Sequence, residues 1–471
     1  MTHGCTPSVA RTPSLRLKQG AIGAVAAVMA MTSGPAWSQD AGISMIRDAE
    51  IEGILHKDAD PVLAAAGLEP SNVEIHLVNN KELNAFVSGG QHIFLFTGMI
   101  IKTESPNQLI GVIAHETGHI SGGHLARQGE GTRGAMATYA ITLGLGLLAA
   151  LAGGESSSGA AAGMLYSANY FATLQMLGYS RTQESAADQA AAGFLEKAGL
   201  SGKGLVSFFD NFRYQEVFSD SRRDAYFRSH PLSSDRIEAL RAKVERQPHY
   251  NTADTPEAIE RHKVMVAKLK AFINYPQVTF ADYPETDTSF PARYARAIAR
   301  YKDLDTERAL KDIDALIADQ PNNPYLWELK GQVLFEAGRA AESEAPYRKS
   351  VELAPTEPLL RISLGQTLLA VPKDAGVAEA ITHLNRAADY EPDNPFTWRL
   401  LAEAYERNKQ PGLARLATAE QSFSLGKLPE ARRFALNARD LLEQGTPQYR
   451  RAMDIITTSE DNFQGRRRRR S

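Results

Sequence analysis

One cysteine, Cys5, occurs in the 471 residues. A lone thiol excludes a disulfide framework and a cysteine-built zinc cluster, so packing has to stabilise the fold. A strong excess of one charge is also missing, with 52 Lys and Arg against 55 Asp and Glu. Arg11, Arg16 and Lys18 lie near the start, and Arg466 to Arg470 form a run at the end. The body between them is therefore acidic, and the arginine run reads as a solvated, disordered tail over 461–471, with contact to anionic lipid or an acidic partner as the other reading. No basic surface interleaved with aromatics is present, which argues against a nucleic-acid partner. Ser201-Gly202-Lys203-Gly204 lacks the Ser or Thr and the earlier glycine that a phosphate-binding loop requires. Long apolar runs are few. What remains is 43% hydrophobic and 23% charged, ordinary for soluble globular protein, in a chain long enough for two or three domains.

Residues 20–31, GAIGAVAAVMAM, form one apolar run behind a start with no acidic residue before Asp40. Ala36-Trp37-Ser38 puts small residues at the two positions a signal peptidase reads, so residues 1–38 read as a signal peptide cleaved after Ser38. The other reading is an uncleaved membrane anchor, for which the run is short. Cys5 precedes the run and is not placed for lipid attachment. Export without disulfides fits a bacterial periplasm.

Residues 73–97 read as three short strands with turns at Asn79-Asn80 and Gly89-Gly90, forming a small antiparallel sheet with at least one free edge. Ser105-Pro106-Asn107-Gln108 announces a helix: serine caps, proline takes the first position and glutamine sits at the third as a capping-box partner. This helix is expected to run to about Arg127. Over 134–180 the one charged residue is Glu155. That segment reads as a helical hairpin that lids a cleft, dips into a membrane surface as a peripheral contact, or packs as an Ala/Gly-rich core. Its first part is also about long enough to span a bilayer. Residues 181–270 read as helical, and 274–290, with Pro276 and Pro284, as a linker. From 291 to 460 prolines recur at Pro324, Pro358 and Pro395 between paired amphipathic helices, and Trp398, Leu400 and Ala402 echo Trp327, Leu329 and Gly331. A period near 34 residues resembles the tetratricopeptide repeat, in about four units whose helix pairs bury their apolar faces only by stacking.

Residues 115–124 read HETGHISGGH. Four residues apart on a helix, His115 and His119 point the same way and can share one zinc ion. Glu116 is turned about 100° round the axis, off the ion but near a water bound to it, where it can act as general base in amide hydrolysis. His124, nine positions after His115, falls on the opposite side of a continuous helix, and the third-histidine position of the metzincin pattern is held by Leu125. His124 therefore reads as a structural or surface residue. The best third ligand is Glu184 in SRTQESAAD, with Asp188 four residues on and able to orient a ligating histidine through its other ring nitrogen. His230 in SHPLSSDRI has three open readings: a surface or turn residue, a stabiliser of the oxyanion, or an occupant of the open zinc position.

HETGH, ESAAD and SHPLSSDRI followed by tetratricopeptide repeats resemble the HtpX-like zinc metallopeptidases, the peptidase family that also contains the CAAX prenyl proteases. The resemblance implies a mainly α chain: an α+β zinc metallopeptidase (gluzincin) domain over 39–273, then an α-solenoid of repeats. It implies one zinc per chain held by His115, His119 and Glu184, with Glu116 as base. Asp188 becomes a supporting group or proton donor, His230 a histidine that caps the zinc at rest, and Arg236 a support of the site. Family members with such repeats imply a zinc endopeptidase and chaperone of the periplasm. Its substrates would be unfolded or stalled outer-membrane proteins, and its repeats would dock on the outer-membrane β-barrel assembly machinery. The alternative is a repeat-based chaperone or scaffold whose proteolytic site is mostly latent. An unfolded substrate can add as a strand to the free edge of the 73–97 sheet, a mode that a proline at Phe86 would weaken.

Overall fold

The computed structural model describes residues 44–124, 181–217, 224–371 and 376–468. The expected leader, the apolar segment 134–180 and the last three residues of the tail lie outside them. The N-terminal part runs β1 (Met45–Ile46), α1 (Ala49–Ala65), β2 (Glu74–Val78), β3 (Ala85–Ser88), β4 (His92–Phe96), α2 (Thr97–Lys102) and α3 (Pro106–Ser121). Three strands do form over 73–97, but the sheet is mixed rather than antiparallel. Its order is β1-β2-β4-β3, with β2 parallel to β4 and both edge strands antiparallel to their neighbours. The segment 79–84 carries the chain past the central place, and a hairpin through Gly89 and Gly90, both at positive φ, folds β4 back into it. Ile93 to Phe96 are all buried, as a central strand requires. Ile75, Leu77, Ala85, Val87, Ile93 and Leu95 face the main core, which they share with α1 and α3. Val78, Phe86, Phe94 and Phe96 form a small cluster on the other face. The edge strand β3 carries Phe86 stacked on Phe94, so a proline there would remove packing as well as a hydrogen-bond donor.

Helix α3 is buried from Pro106 to His119 on every side, the pattern of a central helix. Ser105 Oγ accepts from the Gln108 N–H, and the Gln108 side chain accepts from the N–H of Glu104, one residue ahead of the cap itself. The helix stops at Ser121 rather than near Arg127. Gly122 caps it and Gly123 turns the chain at φ 60°, the left-handed conformation that glycine adopts at little cost.

Next come α4 (Arg181–Lys197), α5 (Lys203–Asn211), α6 (Ala225–Ser229), α7 (Ser234–Val244), α8 (Pro256–Ile273) and α9 (Pro276–Asp282). The last of these occupies the expected linker. Pro276 opens α9, and Pro291 lies at the start of the following helix, α10 (Phe290–Lys302). Prolines that read as breakers are helix starters here, where the missing N–H costs nothing. The solenoid continues through α11 (Thr306–Asp319), α12 (Pro324–Glu336), α13 (Ala340–Leu353), α14 (Pro358–Ala370), α15 (Val377–Tyr390), α16 (Pro395–Arg407), α17 (Pro411–Ser424), α18 (Leu428–Arg439) and α19 (Pro447–Arg468). Each helix packs on the next, and from α10 to α19 they make five pairs where the proline marks suggested about four. A recurring device marks the three clearest units: Trp327, Arg361 and Trp398 each donate to a proline carbonyl six residues earlier, Pro321, Pro355 and Pro392. Gly331 and Gly365 let paired helices close, since a Cβ would stand 2.8 Å from the Tyr347 ring and 2.7 Å from Leu384 Cγ. Helix α19 runs through Arg468, so most of the expected disordered tail continues a helix; arginine is itself a strong helix former.

The two parts meet at the start of α1. Ala49 packs into the apolar cluster of the repeats, and Arg47 bridges Glu52 and Glu391. The buried Lys268 lies 2.9 Å from Asp48 and 3.0 Å from Glu50, while Tyr294 donates to Glu50. Among the described residues no helix is long and apolar enough to cross a membrane.

Candidate metal centre

Two close helix contacts assemble the site. A Cβ at Gly118 of α3 would lie 2.8 Å from the Ala187 carbonyl oxygen on α4, and one at Gly111 would lie 2.8 Å from Leu205 Cβ on α5. Two small residues seven positions apart thus let α4 and α5 approach the backbone of α3. The approach of α4 puts Glu184, from its first turn, against the histidines in the last two turns of α3.

His115, His119, Glu184 and His230 are all buried, and one donor atom from each lies within 4.8 Å of the others. His115 Nε2 is 3.1 Å from His119 Nε2 and 3.3 Å from His230 Nδ1. Glu184 lies 3.4 Å from each of His115 Nε2 and His119 Nε2, and 3.0 Å from His230 Nδ1. Around a tetrahedral ion with nitrogen and oxygen donors at about 2.0–2.1 Å, neighbouring donors stand about 3.3 Å apart. The residues present therefore fit a zinc-sized ion.

The outer ring nitrogens are held. His115 Nδ1 is 2.9 Å from Asp188 Oδ1, and His119 Nδ1 is 3.0 Å from His124 Nδ1. Each inner Nε2 is thereby turned to the cluster, the arrangement by which a second layer of contacts orients a histidine. Arg236, on α7, grips Asp188 through two bonds of 2.8 Å, lies 2.9 Å from Glu184 and donates to the Pro231 carbonyl. It also sits over the Phe209 ring. Tyr226 stacks on His230 with centroids 4.6 Å apart.

Burial disfavours protonation of His115, but the hydrogen bonds its ring donates to Asp188 and Glu184 outweigh it and carry its pKa up to about 10. Burial dominates at His119 and lowers it to about 2. Glu184 is held well below the carboxylate range because the charge of His230 and bonds to the histidines overcome its burial. Burial raises Glu116 against the opposing charges of His230 and His115. Tyr226 is a hydrogen-bonding neighbour of the buried Glu116 carboxylate, and His230 Nε2 lies 3.6 Å from it.

Every expected site residue is in this cluster: His115, Glu116, His119, Glu184, Asp188 and His230. His124 is there too, buried and bonded to His119, so the structural one of its two readings holds, while its placing on the opposite side does not. Helical projection fails for it because the helix has already ended. The turn at Gly122-Gly123, legible as a helix stop, was the available signal. Tyr226 carried none beyond its place one turn before His230.

Residues 46–244 match the model of Peptidase family M48, and residues 294–358 that of the Tetratricopeptide repeat. The chain thus carries an M48 metallopeptidase domain followed by tetratricopeptide repeats, in line with the resemblance in its motifs. It is 23% identical to the beta-barrel assembly-enhancing protease of Yersinia pestis over 91% of this chain and 87% of that one. To the protein of the same name in Escherichia coli K12 it is 26% identical, over 82% and 79%. Among solved structures, the repeat protein YrrB aligns with 38% of this chain and 91% of its own at 17% identity and a TM-score of 0.31.

Proposed function

We propose that this metallopeptidase is a zinc-dependent endopeptidase in which His115, His119 and Glu184 hold the ion and Glu116 is the general base. The observation that carries this reading is the buried quartet of donors spaced as a tetrahedral ion needs, with the buried Glu116 carboxylate beside it. Zinc bound there would lower the pKa of a bound water towards about 7 and polarise the scissile carbonyl. Glu116, buried beside the donors, would take a proton from the attacking water and pass it to the leaving amine. Asp188 and His124 hold the ligand rings, and Arg236 holds Asp188 and Glu184.

A second reading rests on His230. Its Nδ1 sits inside the donor set, at the place a water or substrate would need. Hydrolysis then requires His230 to move away, and at rest the protein acts as a repeat-based chaperone or scaffold. Both readings put it in the periplasm, as the leader-like start and the lack of any cysteine after Cys5 suggest. It would act on unfolded or stalled outer-membrane β-barrel proteins and dock on their assembly machinery through the repeats, in keeping with the name of its relatives.

Zinc content and cleavage of an unfolded outer-membrane protein test the proposal together. Glu184→Ala is expected to lose stoichiometric zinc. Glu116→Gln should keep zinc and lose roughly 10²–10⁴-fold in rate. His230→Ala should keep zinc and cleave faster than wild type. A folded Glu184→Ala protein with full zinc would overturn the ligand set, and an unaltered rate in Glu116→Gln would overturn the base.

A further inference from the structure

A second set of metal-type donors lies on the face of the sheet turned away from α3. Glu74 and His76 alternate along β2 and share that face, and His92 on β4 is the register partner of Glu74. His76 Nε2 and His92 Nδ1 are 3.0 Å apart, and Glu74 Oε2 lies 3.4 Å from each. The His76 ring stacks on Phe94 at 4.7 Å and lies nearly parallel to His92, which limits the rotation of both rings. A bond between the two rings needs only those two groups. A carboxylate oxygen equidistant from both nitrogens makes a triangle whose sides are close to the ~3.3 Å donor spacing of a tetrahedral ion.

We infer that Glu74, His76 and His92 form a second metal site, for a first-row divalent ion such as zinc, on the opposite side of the sheet from the HETGH cluster. Two imidazoles and one carboxylate suit that class of cation rather than calcium or magnesium, which prefer all-oxygen sets. Both histidines are partly exposed and the Glu74 side chain is 56% exposed, so the remaining positions are open to water or to a ligand from another molecule. The strands hold the three donors without any loop, which preorganises them. An ion here would tie β2 to β4 at the end where the β3–β4 hairpin turns.

Zinc alone is the probe. Chelator-stripped protein is titrated with Zn²⁺ against a chromogenic competitor, and thermal melting is followed in parallel. Wild type is expected to take up two equivalents, the second raising the melting temperature. His92→Gln and Glu74→Gln should retain one equivalent, bind the second at least ~10-fold more weakly, and lose its effect on melting. His119→Gln should lose the other class and keep this one. Glu74 is exposed enough that its variant folds even if His92→Gln does not. One equivalent in wild type, or unchanged uptake by a folded Glu74→Gln or His92→Gln protein, overturns the site.

Discussion

Rings that must offer a lone pair to a metal need their other nitrogen anchored, and here two different residues do so. Asp188 anchors His115 and His124 anchors His119. If this layer sets the rings, His124→Ala should leave the fold intact and weaken zinc binding about 10–100-fold, read by competition with a chelator. Arg236 works one step further out, and replacing it leaves Asp188 and Glu184 buried without their cation. The pair His115 and His119 was legible from spacing, because four residues on a helix determine a shared face. Glu184 was reached only by need: a shared ion would require a third ligand, and SRTQESAAD offered a carboxylate, which the fold brings to 3.4 Å from both rings. For His124 only the helix stop at Gly122-Gly123 was legible; its direction past that stop depends on the backbone conformation of the two glycines.

Between elements, close backbone approach does the assembling. The neighbour of Gly118 is the Ala187 main chain, which cannot rotate away as a side chain could. Gly118→Ala is therefore expected to push α4 off α3, cost about 1–3 kcal/mol in stability, and lower zinc occupancy by carrying Glu184 away from the histidines. Thermal melting and metal analysis of the one variant check both effects. Helix existence was legible throughout 181–270 and in the repeats, where apolar period and proline punctuation agree. Sheet topology was not. Three strands in sequence suggest a simple meander, and the parallel pairing of β2 with β4 follows from how the 79–84 connection passes the end of β4, where the Asn80 carbonyl accepts from Thr97 and Gly98.

At the scale of the molecule, the start of α1 joins the peptidase part to the repeats through a buried charge network. Lys268 is raised well above the lysine range despite its burial, because Asp48, Tyr294 and Glu50 favour its charge. Lys268→Met would strand Asp48 and Glu50, and a loss of about 3–5 kcal/mol is expected, visible as a lowered or split melting transition. Nearby Glu357 is pushed up to about 7, chiefly by burial, with added repulsion from Glu52 and Glu391. The folded protein then keeps a proton there that the unfolded chain has lost. This term weakens the fold as pH rises from about 4.5 to 7. Melting temperatures across that window should fall less steeply in Glu357→Gln.

The sequence by itself determined the residue types: two imidazoles and a carboxylate on one helix, a helical repeat of about 34 residues, and a single cysteine, too few for a disulfide within the chain. These follow from local periodicity, which is set by the geometry of a single helix. The tertiary structure alone decided which side chains surround those imidazoles, that His230 enters the donor set, and that β4 lies between β2 and β3. Such facts depend on contacts between residues tens to hundreds of positions apart, where packing of whole faces, and not the local pattern, selects the partner.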